Sequence, residues 1–178
     1  MKLLKIHLAW AKTGLIALLL LSGALEITAV AKGKSLKKNS EFSGSRLELI
    51  NVKGEPFTVK PANGKFILIN FWATWCAPCR REMPELNLFK DLRKSGQVQV
   101  LAVCVDNSPK KIKEFLKEMD VNFDVLIDST EKVSEFYKIS QMPTTILLDG
   151  EGRQVFRSAG YSPHTLKKVL EKIRQNNN

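Results

Sequence analysis

Only three cysteines and two histidines occur among the 178 residues, and that scarcity narrows the chemistry available. A structural zinc site takes about four nitrogen or sulfur ligands. Beyond the pair Cys76 and Cys79, only Cys104 and His164 remain after Ala31, without paired spacing. Arg80, not histidine, follows Cys79, so the C-x-x-C-H pattern of haem attachment is missing. No cysteine follows Leu21-Ser22-Gly23, which leaves a lipobox-type lipid no residue to occupy. No internal repeat is visible. With 44% hydrophobic and 26% charged residues, the composition excludes disordered and fibrous classes. Length and mass predict one domain with a proper core.

The N-terminus differs in character from the rest. Lys2, Lys5 and Lys12 precede an uncharged run from Thr13 to Leu25, and Ala29-Val30-Ala31 supplies small residues at signal-peptidase spacing. This combination predicts a secretory segment over 1–31. The apolar run is shorter than the ~20 residues a membrane-spanning helix needs. Removal as a signal peptide is the expectation, with retention as an uncleaved anchor the alternative. Either outcome places the folded part outside the cytoplasm. Residues 32–45, rich in Lys, Ser and Gly, read as a linker, and 46–178 as the folded domain.

Net charge is +10, and loss of residues 1–31 with their three lysines and Glu26 leaves 25 basic against 17 acidic residues, or +8. The lysines lie opposite apolar stripes: Lys110, Lys111, Lys113 and Lys117 on one helix, Lys167, Lys168 and Lys172 on another. That arrangement is a solvated face rather than a nucleic-acid surface. Attraction to an anionic membrane or an acidic partner is the other use of such a balance.

Leu47–Ile50 and Pro56–Val59 alternate around Lys53-Gly54, a hairpin pattern. Phe66–Phe71 and Val98–Val105 read as buried strands. Between them a helix is expected to run from the cysteines to about Lys94, with Met83, Leu86, Phe89 and Leu92 inward and a kink at Pro84. Ser108-Pro109 opens a second helix carrying Ile112, Phe115, Leu116 and Met119. A short strand at 124–128 and a short helix at 131–137 carrying Val133, Phe136 and Tyr137 follow. Thr144–Leu148 turns through Asp149-Gly150-Glu151-Gly152 into Gln154–Phe156, and Ser162-Pro163 opens the last helix. This order requires parallel pairing first and antiparallel pairing last, in a mixed sheet with helices on both faces.

Cys76-Ala77-Pro78-Cys79 stands where a buried strand meets a helix. A thiol at a helix start faces unpaired N–H groups and the positive end of the dipole, both of which favour the thiolate. Thiolates attack disulfides, and a purely structural bridge across two residues closes too small a loop to stabilise much. Redox exchange is the reading that remains. Cys76, exposed at the helix tip, is the expected attacking thiol and Cys79 the resolving one. Cys104, mid-strand, is core packing. His164 is a surface residue. Trp72 is core or the floor of the site; Trp75 is either packing or an exposed substrate surface.

Phe71-Trp72-Ala73-Thr74-Trp75-Cys76-Ala77-Pro78-Cys79, the helix proline Pro84 and the distant Met142-Pro143-Thr144-Thr145 together resemble thioredoxin-fold thiol–disulfide oxidoreductases of the exported TlpA/ResA-like group. The likeness covers Phe42 to Gln175. It implies a thioredoxin-like α/β fold: a mixed central sheet flanked by helices, an N-terminal hairpin and a TlpA-type strand–helix insert. It implies a cis Pro143 facing the dithiol, with Met142 offering backbone groups to an extended substrate. Trp75, Ala77 and Pro78 join these two as substrate contacts. Asn70 departs from thioredoxin, which carries a buried aspartate there. The resemblance gives the proton-relay role to Glu82, although a glutamate favoured by the helix dipole reads the same way. The implied activity is reduction of client-protein disulfides without a cofactor beyond the cysteine pair. Apocytochrome c is the leading client and a membrane thiol–disulfide protein the electron donor. A peroxidase of the same fold and a non-redox binding or chaperone module are the competing readings. The peroxidase pattern P-x-x-x-T-x-x-C fits poorly, since Thr74 stands two rather than three before Cys76.

Overall fold

The computed structural model describes residues 47–106 and 108–176, all within the unit Asn39–Asn178. The secretory segment and linker of the sequence reading lie outside these residues. Seven strands form one sheet in the order β2-β1-β5-β4-β3-β6-β7. They are β1 (Leu47–Asn51), β2 (Pro56–Val59), β3 (Phe66–Trp72), β4 (Val98–Cys104), β5 (Asp124–Ile127), β6 (Thr144–Leu148) and β7 (Gln154–Ala159). β3, β4 and β5 pair in parallel, while β6 and β7 add antiparallel, as the element order requires. The hairpin β1–β2 docks antiparallel on β5, with Ile50 opposite Ile127.

β3 is buried at all seven positions because it lies between β4 and β6 and is covered on both faces. Phe66, Leu68 and Trp72 point to one layer, and Ile67, Ile69 and Phe71 to the other. The first layer holds Met83, Leu86, Phe89, Ile112, Phe115, Leu166, Val169 and Ile173 from the helical segments. The second takes Val133 and Tyr137. Burying each large side chain stabilises by roughly 1.5–3 kcal/mol, and Trp72, fully buried against Phe115, belongs to this core.

The helix after the cysteines is not continuous. Pro84 has no N–H to give the Arg80 carbonyl, so the α-helical ladder fails there. The chain runs as α1 (Ala77–Glu82), a 3₁₀ stretch Met83–Phe89 and α2 (Lys90–Lys94), ending at Gly96 with φ +76°. Met83, Leu86 and Phe89 are buried as expected. α3 (Pro109–Lys117) starts at Ser108, whose Oγ accepts the Lys111 N–H.

One detail adds to the sequence reading and another corrects it. Phe136 on α4 (Lys132–Phe136) is 44% exposed, because Val133 and Tyr137, four apart, occupy the inward side and leave it beside them. α5 (Thr165–Asn176) begins two residues beyond Pro163. Ser162 closes a turn instead, its carbonyl accepting the Thr165 N–H at 3.0 Å.

Asp128 anchors the short strand–helix unit from below. Its buried carboxylate accepts from the N–H groups of Val133 at 3.3 Å and Ser134 at 2.7 Å, two donors the start of α4 would otherwise leave unpaired. Replacing Asp128 with alanine is expected to cost about 1–2 kcal/mol, and Asp128→Asn, which keeps only one of the two accepting oxygens, to recover only part of it. Thermal unfolding of the three proteins checks this, as a drop of several degrees for alanine and a smaller one for asparagine.

Candidate active site

The parallel strand β3 delivers the chain to its C-terminal end at Trp72, and a tight turn leads it into α1. The Cys76 N–H donates to the Ala73 carbonyl at 3.1 Å, closing that turn. Cys76 is then the N-cap of α1: its backbone is extended, with φ −84° and ψ 99°, and its sulfur accepts the Cys79 N–H at 3.3 Å. Pro78 fits the first turn, where an N–H would have had no helical partner. The two sulfurs are bonded to each other at 2.03 Å. Cys76 is 5% exposed and Cys79 2%. The expected open helix tip is therefore nearly covered, since Cys76 is drawn into the turn and held against its partner. Ala77 is exposed and Pro78 half-buried beside it.

Trp75 extends away from the core at 70% exposure, which settles its place as surface and that of Trp72 as core. The strand register brings the remote segment alongside. Phe71 sits opposite Thr144, so Pro143 comes level with Trp72 at the end of β3 and Met142 passes beyond it, toward the cysteine turn. Pro143 is buried after a cis peptide bond, the geometry that the resemblance implied. Met142 packs against the apolar cluster that contains both cysteines. Next to Met142 opens a cavity of about 280 Å³, walled by Val105, Ile139, Ser134, Glu131 and Gln141.

Beneath the dithiol lies a polar triplet within an apolar layer. The same register puts Asn70 opposite Thr145. Asn70 Nδ2 donates to Glu82 Oε2 at 2.7 Å and to Thr145 Oγ1 at 3.0 Å, and all three side chains are 1% exposed. Glu82 Oε1 has no hydrogen-bond partner. Burial pushes the Glu82 carboxyl up to about 7; the Asn70 bond opposes this and the like charge of Glu85 adds to it.

Asp106, just past β4, was not foreseen. Its Oδ2 accepts the Thr74 N–H at 2.7 Å, bracing the turn that carries Cys76, and the Cys104 thiol donates to the same oxygen at 3.6 Å. A carboxylate directly after a buried strand that neighbours the cysteine strand was the available signal. Cys104 is fully buried and its thiol is pushed up to about 12, mainly by burial, so it stays an inert packing residue. His164 is exposed. Among the described residues no three His, Cys, Asp or Glu side chains converge as a metal site requires.

The Redoxin family model matches residues 27–173. The chain belongs to the redoxin family. Within it, this redoxin is 35% identical to thiol-disulfide oxidoreductase ResA of Bacillus subtilis (strain 168), over 81% of its own length and 80% of that protein's. The solved structure of StoA from Bacillus subtilis aligns with a TM-score of 0.60 at 25% identity, covering 71% of this chain and 95% of that one. The pneumococcal exposed lipoprotein thioredoxin Etrx1 from Streptococcus pneumoniae strain TIGR4 aligns with a TM-score of 0.63 at 26% identity, covering 74% and 98%. The redoxin is a thiol–disulfide oxidoreductase of the ResA and StoA type with a thioredoxin-like fold. The Cys76–Cys79 bond is the structural counterpart of that activity.

Proposed function

We propose that this redoxin is an exported reductase of client-protein disulfides, working at the outer face of the bacterial cytoplasmic membrane or in the periplasm. The observation that carries the reading is the convergence of the Cys76–Cys79 pair with the 142–143 segment and exposed Trp75. A client chain laid along Met142 meets backbone groups and the adjoining cavity while its disulfide reaches Cys76. Trp75, Ala77 and Pro78 line the approach, and Pro143 fills the space behind it.

The reaction balances without any further redox group. Cys76 thiolate attacks one client sulfur, the client's second sulfur leaves as a thiolate, and a mixed disulfide forms. Cys79 thiolate then attacks Cys76 Sγ, releases the other client thiolate and closes the Cys76–Cys79 bond. Two electrons pass to the client, whose thiolates take up two protons. Glu82, one helical turn past Cys79 and near neutral in proton affinity, relays the proton that Cys79 must lose. A membrane thiol–disulfide donor re-reduces the pair.

The basic, apolar and small-residue pattern of residues 1–31 supports export, by signal peptide or anchor, and apocytochrome c is the leading client. Cells expressing Cys79→Ser are expected to accumulate mixed disulfides on Cys76 with a small set of exported cysteine proteins. The wild-type potential is expected nearer about −270 mV than about −120 mV, the side of the scale occupied by reductants. Capture of cytosolic proteins only, or a potential at the oxidising end, would overturn the proposal.

A further inference from the structure

The turn that carries Cys76 is held at its ends by backbone bonds and in its middle by a side chain. Where it leaves β3, the Trp72 carbonyl accepts the Val105 N–H at 3.0 Å, one residue past the end of β4. Where it enters α1, the Cys76 N–H closes on the Ala73 carbonyl. Between these points the tie to the rest of the fold is the Thr74 N–H, which donates to Asp106 Oδ2 at 2.7 Å. Packing adds little there, because Trp75 is 70% exposed.

The accepting carboxylate is itself aimed. Cys104, two residues before Asp106 and paired with Trp72 in the sheet, donates its thiol proton to the same Oδ2 at 3.6 Å. Donors from the ends of β3 and β4 thus converge on one oxygen. Asp106 is half-buried, and an ionised acceptor makes a hydrogen bond roughly twice as strong as a neutral one.

Reduction makes this bond matter more. In the oxidised protein Cys76 is also fastened to Cys79 at 2.03 Å, so the turn has a covalent hold. Opening the disulfide removes it. Cys76 is then kept at the helix start, where unpaired N–H groups favour its thiolate, by the fold of the turn alone. Placement is demanding, since a shift of about 1 Å costs on the order of a hundredfold in rate.

We propose that Asp106 is a positioning residue for the attacking sulfur: by gripping Thr74 it keeps the turn of the reduced protein in place, with Cys76 at the start of α1 and Trp75 turned outward. Asp106 acts through the turn, without contact to the client. The role belongs to the accepting oxygen rather than to the charge, so an amide oxygen of the same reach fills it. The inference rests on Cys76 being the sulfur that attacks.

The test compares the reduced full chain with its Asp106→Asn and Asp106→Ala variants, which carry equal charge and differ in the acceptor. For a peptide disulfide, kcat/KM is expected to fall about tenfold in the alanine variant and no more than about twofold in the asparagine one. By NMR, the Thr74 amide proton of Asp106→Ala is expected to exchange with solvent at least about tenfold faster, while the amides of β3 and β4 keep their protection. Asp106→Ser, too short to reach Thr74, is expected to match alanine and replaces it if the alanine chain does not fold. Wild-type kcat/KM in the alanine or serine variant overturns the proposal. So does an asparagine variant as slow as alanine, or a loss accompanied by lost protection across β3 and β4. Failure of the underlying reading looks different: Cys76→Ser, with Asp106 intact, would still capture the peptide through Cys79.

Discussion

Replacing Cys76 with serine is expected to lower kcat/KM for disulfide reduction by on the order of a thousandfold or more, while the fold survives. A hydroxyl has no thiolate form at working pH and does not displace a thiolate from a disulfide. Cys79 does not substitute, because it sits a turn inside the helix whose start activates Cys76. Stability should change little, since the bond removed spans a separation of only three residues and constrains the unfolded chain weakly. Cys79→Ser provides the contrast: one stoichiometric attack, then arrest as a mixed disulfide on Cys76. Steady-state reduction of a peptide disulfide, with mass spectrometry of the arrested species, reads both outcomes. Equal arrest on Cys79 in the Cys76→Ser protein would reverse the assigned roles.

What the sequence disclosed and what it withheld divide along contact distance. β3 and β4 were legible because unbroken runs of Val, Ile, Leu and Phe fit only strands buried on both faces. The cysteine turn and the failure at Pro84 were legible because both depend on residues a few positions apart. Even there, the length of the helix was misjudged: Pro84 does not merely bend it but replaces seven residues with 3₁₀ structure. The docking of the hairpin on β5 rather than elsewhere left no local trace.

The site shows the same division more sharply. Cys76 and Cys79 could be picked out from spacing alone, yet their near-complete burial could not. Glu82 was singled out, but its character depends on Asn70 and Thr145, and the latter is 75 positions from its bonding partner. Only the antiparallel register of β6 on β3 makes these three neighbours. The same register problem hid Asp106 from the cysteine turn.

Glu82→Gln is expected to flatten the pH dependence of stability, with a difference from wild type of about 3 kcal/mol opening between pH 4.5 and 8. The folded carboxyl holds its proton up to about 7, against 4.5 for an ordinary glutamate. Below 4.5 both folded and unfolded chains are protonated there, and the group costs folding nothing. Between the two values the unfolded chain has lost the proton and the folded one has kept it, so wild-type stability falls as pH rises. Above 7 both are ionised and the full penalty stands, borne by a buried carboxylate with one bond from Asn70 and one oxygen unpaired. Glutamine carries no charge to bury, so this slope vanishes. Its own buried amide N–H groups cost something at every pH, which offsets the whole curve without tilting it. Denaturant unfolding of the two oxidised proteins across the range separates slope from offset, because every other titrating group is common to both. Parallel curves would mean that Glu82 ionises normally in the fold. Diverging curves would show the protein giving up stability at neutral pH to keep a loosely held proton one turn from Cys79, a cost that exchange chemistry explains and packing does not.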